Sequence, residues 1–439
     1  MLVPGVIPEK EPLLRVGIIL PEDKQNTLSL EISDLHSTSI LINNSQTVPI
    51  SEKKIEISVK KTGIELKGQK EVESAKILKF IQTKNDGFIL VKPVIAGRGF
   101  HWAKQIGVKL PYTVEISIID NSLLLVNELP LELYLTCVAT SEMGAECPET
   151  FIEAQTIVAR SWMLANVEQK HVHLGFDVCN DDCCQRYQGI NNLTAQSKAG
   201  AMNTRGQVLM YDSKICDARY SKSCGGVMEK FENLWEDTPL PYMQNIPDAK
   251  EKFDINLKKE PEMRKWVKKI PETFCSPFYI PENQLKKYLG NVDEEGKYFR
   301  WTIKTSQQEL VKNINEKLKL NVKVVLSLIP LKRAGSGRML KLEIKYLDSN
   351  NIPRSVIIEK DYEVRRILHK RFLYSSAIII EEVKPEGADY PDEFIFNGAG
   401  WGHGAGLCQI GALGMALNDY KTDKIVYHYY PGSELKKLY

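Results

Sequence analysis

Asn397-Gly398-Ala399-Gly400-Trp401-Gly402-His403-Gly404-Ala405-Gly406-Leu407-Cys408-Gln409 is the stretch around which the chain is read. From Gly400 to Gly406, glycines alternate with Trp401, His403 and Ala405. The residues before it, Glu393–Phe396, read as a strand, and Leu407–Leu417 reads as a short helix of small residues. Glycines at this density allow backbone conformations that a Cβ forbids, and they let a ligand approach the main chain closely. Two readings are open: a loop presenting Trp401 and His403 to a ligand, or a tight strand-to-helix turn around a satisfied histidine. A dinucleotide fingerprint is disfavoured, because it needs a strand–loop–helix–strand unit with an acidic residue about 20 positions on. The residues up to Tyr439 leave little room for that.

Working outward, the 439 residues suffice for two or three domains with sizeable cores. Apolar residues at 43% and charged residues at 26% are ordinary globular values, and a net charge of +2 gives no field that argues for nucleic acid. No apolar run has the length of a membrane span. No basic n-region with an apolar core opens the sequence, which by itself reads as a cytoplasmic chain or as a mature form whose leader has been removed. Nine cysteines cannot all pair. Cys179, Cys183 and Cys184 form a cluster suited to a metal or a redox pair.

The expected class is α+β: a β-rich domain over residues 1–95, a mixed α/β core over 96–249 and 383–439, and an inserted α+β subdomain over 250–382. Residues 12–125 are strand-like, with turns at Asn43-Asn44, Thr62-Gly63, Asn85-Asp86-Gly87 and Asp120-Asn121. Two helices come next. The first, from about Pro130 to Met143, puts Tyr134, Val138 and Glu142 on one face, with Gly144 as its closing residue. Partial desolvation and the negative end of a helix dipole both favour a protonated Glu142, which general-acid catalysis needs. A solvated helix end is the alternative. The second helix, from Pro148 to about Asn166, buries Phe151, Ala154, Val158, Trp162 and Ala165. Gln155 and Arg160 flank this stripe.

The segment from His171 to Gly189 carries imidazoles and thiols at spacings compatible with tetrahedral zinc. If it is extended, His171 and His173 point the same way. Adjacent Cys183 and Cys184 rarely face one ion, and a non-metal cysteine cluster is the alternative. Farther on, Ala218–Gly226 offers small hydroxyl residues before Gly225-Gly226, fitting either a polar-ligand loop or a plain turn. The insert, with its Arg333–Arg338 turn, shows no chemistry of its own.

In order, the motifs Gly97-Arg98-Gly99-Phe100, Leu129–Glu132 through Ser141-Glu142-Met143, Ala154-Gln155 with Ala159-Arg160-Ser161, Cys179–Gly189, Tyr220-Ser221 with Cys224-Gly225-Gly226, Gly400–Gln409 and Tyr429–Gly432 resemble the SpoIID/LytB family of bacterial cell-wall proteins. The likeness covers roughly residues 95–439. It implies a lytic transglycosylase acting on peptidoglycan glycan strands stripped of stem peptides, with Glu142 as catalytic acid. It implies substrate contacts from Gln155, Arg160, Tyr220, Ser221, Trp401, His403 and Gln409. It also implies a structural Zn2+ on His173, Cys179 and Cys184. Cys183 stands where many relatives carry histidine, so the choice between Cys183 and Cys184 stays open. Amidase enhancers of the same family imply a second role, binding the wall and stimulating a partner amidase. A zinc hydrolase is a third. The family implies the cell envelope or the extracellular space.

Overall fold

In a computed structural model, the chain is described over residues 1–69, 72, 75–84, 86–99, 103–144, 146–251, 253–289 and 297–439. Asn85 of the expected turn and Phe100 of the glycine-arginine motif fall outside them. The architecture is α+β with a β-rich N-terminal region. It divides into two units. The first holds Met1–Asp217 with Leu435–Tyr439, and the second holds Ala218–Tyr288 with residues 297–434.

In the first unit, a seven-stranded sheet runs in the order Val178–Cys179, Leu13–Ile19, Ser122–Pro130, Thr113–Ile119, Ile77–Gln82, Thr38–Ile42 and Gln46–Pro49. A five-stranded sheet runs Gly63–Lys67, Lys54–Lys60, Thr27–Ile32, Ile89–Ala96 and Lys104–Leu110. The sequence alternation becomes burial alternation: Leu28, Leu30 and Ile32 are buried while their neighbours are not. The strands continue across residue 95 to Pro130 in these same two sheets. At the edge of the larger sheet, Val178 and Cys179 pair in parallel with Val16 and Gly17. Gly17 is required there, since a Cβ would lie 2.6 Å from the Phe176 ring. This edge strand is what brings the cysteine segment to the helices.

Those helices are α1 (Leu131–Glu142), α2 (Glu149–Ala165) and α3 (Ala195–Asn203). Met143, extended at φ −135° and ψ 160°, terminates α1. Met143 is thus the capping residue, and Gly144 stands at the closing position expected for it.

In the second unit, Arg300–Ser306, Glu393–Ala399 and Ile378–Val383 form one antiparallel sheet, in the order Arg300, Glu393, Ile378. Val322–Arg333, Met339–Asp348 and Pro353–Glu359 form another. The helices Gln307–Leu318 and Asp361–Leu368 contribute Leu310, Ile314, Val364 and Ile367 to a core shared with both sheets. A short parallel pair, Tyr220–Ser221 with Leu407–Cys408, joins the two motifs that flank this insert in sequence.

Candidate functional site

Glu142 ends α1 in the first unit and is 8% exposed. Its Oε1 accepts a 3.0 Å hydrogen bond from the Arg186 amide. That amide is placed by the segment leading out of the cysteine cluster. The Gln188 amide donates to Ser141 Oγ at 3.3 Å, and Tyr134 Oη meets Gln185 Oε1 at 3.1 Å. Tyr134 and Tyr187 stack with centroids 5.2 Å apart. Tyr134, on the face that the sequence assigns to Val138 and Glu142 as well, thus helps to dock residues 185–188 against α1. The carboxyl is oriented by a main-chain donor as a result.

Gln155 and Arg160 are fully buried. Arg160 forks onto Glu132, Nε to Oε1 at 2.9 Å and Nη2 to Oε2 at 2.5 Å, and donates through Nη1 to the Gln207 carbonyl. These bonds join α1 to α2 and to the strand Gln207–Tyr211 that follows α3, a position for holding elements together rather than for touching a ligand. The expected Gly97-Arg98 motif has a comparable role. The amides of Gly97 and Arg98 donate to Asp181, and the Arg98 guanidinium reaches Asp23 and Asn180, clamping the cysteine segment.

The ring beside the cysteines belongs to His171. Donor atoms of His171, Cys179, Cys183 and Cys184 lie within 4.8 Å of one another, the donor set of a metal site. Cys183 Sγ is 2.9 Å from Cys179 Sγ, 3.9 Å from Cys184 Sγ and 3.8 Å from His171 Nε2. His173, expected as the ligand, is exposed. Residues Val172–Leu174 form a 3-10 turn, so side chains two apart do not share a direction as they would in an extended segment. Both Cys183 and Cys184 face the cluster. Hydrogen bonding to Cys179, then to Cys184 and His171, holds the Cys183 thiol well below its usual range.

Tyr220, Ser221, Trp401, His403 and Gln409 belong to the second unit. Gly400, Gly402, Gly404 and Gly406 all have positive φ. What approaches their main chain is protein. A Cβ on Gly404 would lie 2.3 Å from the Arg338 guanidinium carbon, and one on Gly406 would lie 2.0 Å from the Arg219 carbonyl oxygen. Ser221 Oγ accepts from the Gly404 amide at 3.1 Å, while Gln409 is buried as the first residue of the helix Gln409–Ala416. His403 Nδ1 accepts from the Ala405 amide at 3.1 Å, and its ring packs T-shaped with Trp235, centroids 4.9 Å apart. The residue is half-buried. Even so, loss of solvent, then the charges of Arg219, Arg338 and Arg365, push its pKa well below the ordinary value. Both effects favour the neutral imidazole.

Arg338 and Arg365 come from the segment read as chemically silent. Arg338 donates to the Gly402 and Cys224 carbonyls. The two-glycine turn Arg333–Arg338 was the available sequence signal, because such a turn can deliver its last side chain into a neighbouring loop.

A depressed histidine pKa has a defined sign. The unfolded chain takes up the proton near pH 6.5 while the folded chain does not, so stability present above that pH is lost as pH falls below it. Thermal melts at pH 7.5, 6.5 and 5.5 should show the second unit weakening with acid, and His403→Gln should flatten that dependence. An unchanged slope in the variant would refute the assignment.

Trp401 stacks on Tyr374 with centroids 3.7 Å apart and contacts Tyr298 at 4.8 Å. With Tyr374, Lys268, Lys297, Glu381 and Asn397 it lines a groove of about 600 Å³ in the second unit. Aromatic faces beside charged and amide groups suit a polar ligand with apolar faces.

Residues 119–211 match the family described as Stage II sporulation protein. The chain carries a SpoIID-family domain. Glu142, Gln155, Arg160 and the first cysteine cluster all lie within that SpoIID domain. Residues 229–406 match a second family, described as Domain of unknown function (DUF8618). Among relatives, an uncharacterized protein of Brachyspira hyodysenteriae is 24% identical over 318 residues, covering 72% of this chain and 69% of its own. Stage II sporulation protein D of Bacillus amyloliquefaciens is 24% identical over 328 residues, 71% of this chain and 76% of its own. The amidase enhancer of Bacillus subtilis is 25% identical over 307 residues, 68% of this chain but only 39% of its own. Around the SpoIID domain, no helix among the described residues is long and apolar enough to cross a membrane.

Proposed function

We propose that this chain acts on the bacterial cell wall as a lytic transglycosylase, in the envelope or outside the cell. The observation that carries the reading is a carboxyl at the end of α1, inside the SpoIID domain, held by a main-chain amide and nearly buried. Glu142 protonates the oxygen linking N-acetylmuramic acid to N-acetylglucosamine, and an oxocarbenium-like centre forms at the anomeric carbon. The carboxylate then takes the proton of the muramic acid 6-hydroxyl, whose oxygen bonds to that carbon. A 1,6-anhydro end results and the carboxyl is regenerated, so one residue serves as acid and then base. No second carboxylate is needed, because water is not the nucleophile.

His171, Cys179, Cys183 and Cys184 would hold a zinc ion, whose contribution is to brace the segment that positions the Arg186 amide against Glu142. Trp401 offers a glycan-binding face in the second unit. Trp401→Ala should weaken binding of peptide-free glycan strands by about 1–2 kcal/mol, read by calorimetry. Equal affinity in variant and parent would remove Trp401 from the binding surface.

The amidase enhancer relative favours a second reading, in which the chain binds the wall and stimulates a partner amidase. Incubation with peptide-free strands followed by mass spectrometry separates the two. Anhydro-muramyl ends support the enzyme. Their absence, with stimulation of an added amidase, supports the enhancer.

A further inference from the structure

Cys224, Asp248, Cys275 and Cys408 are scattered along the sequence, yet they meet in the interior of the second unit. Each is at most 2% exposed, and their donor atoms lie within 4.8 Å of one another. Cys224 Sγ is 3.7 Å from Cys275 Sγ and 3.5 Å from Asp248 Oδ2. Zn–S bonds of about 2.3 Å and a Zn–O bond of about 2.1 Å, at tetrahedral angles, separate two sulfurs by about 3.8 Å and a sulfur from an oxygen by about 3.6 Å. The two distances are thus those of tetrahedron edges.

The surroundings are built for anionic sulfur. Cys408 Sγ accepts from the Cys224 amide at 3.2 Å and from the Gly411 amide at 3.4 Å, and Cys224 Sγ accepts from the Gly226 amide at 3.4 Å. Gly225 and Gly226, at φ 79° and 107°, give the turn that folds the last of these amides back onto its sulfur. Asp248 Oδ1 is held by Tyr429 Oη at 2.8 Å, with His428 Nε2 at 3.4 Å, which leaves Oδ2 for the cysteines. Outer partners of this kind orient ligands in metal sites. The space is also kept open: a Cβ on Gly411 would stand 2.3 Å from Asp248 Oδ2.

We propose that Cys224, Asp248, Cys275 and Cys408 bind one Zn2+, as a site separate from the His171–Cys184 cluster. Three thiolates exclude magnesium and calcium, which take oxygen donors, and the carboxylate as fourth donor favours zinc over copper(I). All four positions come from the protein and all are buried, so the site has no place for a reacting water and is structural. Its mechanical effect is to pin residue 408, which closes the glycine-rich loop, to the turn at residue 224 and to two segments of the intervening chain. The inference does not depend on the glycan chemistry proposed above.

The test uses the full chain with His171→Ala, Cys183→Ser and Cys184→Ser, which dismantles the first cluster. Purified under reducing conditions without chelator, it should carry one zinc per chain by mass spectrometry of the metal. After replacement of zinc by cobalt(II), it should show the visible bands of tetrahedral cobalt and sulfur-to-cobalt charge transfer. Asp248→Asn on this background should weaken zinc binding at least tenfold with an unchanged circular dichroism spectrum. Should Asp248→Asn not fold, the cobalt spectrum of its parent still decides. A folded parent that takes up neither added zinc nor cobalt overturns the proposal. So does a Cys224–Cys275 disulfide in protein isolated without oxygen, or undiminished zinc affinity in Asp248→Asn.

Discussion

Glu142→Gln should leave the chain folded and lower formation of anhydro-muramyl ends by about 10²–10⁴-fold, the contribution typical of a positioned proton donor. Glutamine has nearly the same shape, and its carbonyl can still accept from the Arg186 amide. Unfolding midpoints of variant and parent should therefore agree closely. What is lost is the proton that the leaving oxygen needs and the carboxylate that afterwards accepts one from the 6-hydroxyl. Turnover of peptide-free strands, read by mass spectrometry of the ends, checks this. Activity within a few-fold of the parent would rule out Glu142 as the acid. If chelation abolishes cleavage while Glu142→Gln does not, the reaction is a metal-dependent hydrolysis instead.

The second large effect concerns stability. Glu132→Ala should cost about 3–5 kcal/mol, because it leaves the fully buried Arg160 guanidinium without its carboxylate. The same carboxylate also accepts from the Gly206 amide at 3.2 Å and from Tyr439 Oη at 2.8 Å, so four donors lose a partner together. Glu132→Gln keeps an acceptor for some of them and should lose less. Denaturant unfolding of the three proteins gives the comparison. A loss below about 1 kcal/mol in the alanine variant would mean that water reaches Arg160 or that Arg160 finds another acceptor.

Several parts of this architecture were legible because their causes are local. Pro130 and Pro148 stand at the residue before α1 and α2, and Phe151, Ala154 and Val158 are buried as their helical spacing implies, whereas Trp162 and Ala165 of the same expected stripe are half-buried. The turns at Asn43-Asn44 and Asp120-Asn121 adopt the positive φ that asparagine and aspartate tolerate. Glu142 follows from the same periodicity that places Tyr134. Other readings depended on neighbours brought from elsewhere. The glycines of the 400–406 loop were open to two explanations, and it is Arg338 and the Arg219 carbonyl that occupy the space they vacate. Arg160 reads as a flanking polar residue in the sequence, whereas the fold sets Glu132, 28 positions away, against its guanidinium.

By itself, the sequence determined the α+β class, the helices that carry Glu142 and the strand-to-helix loop that carries His403. Each of these rests on periodicity, turn chemistry or glycine content within a dozen or so residues. Only the tertiary structure decided that His171 rather than His173 joins the cysteines, that burial and three arginines depress the His403 pKa, and that Cys224, Asp248, Cys275 and Cys408 share one buried point. The physical reason is range. Backbone preference acts between near neighbours along the chain, whereas desolvation, charge and ligand geometry act between whatever the folded chain brings within a few ångströms.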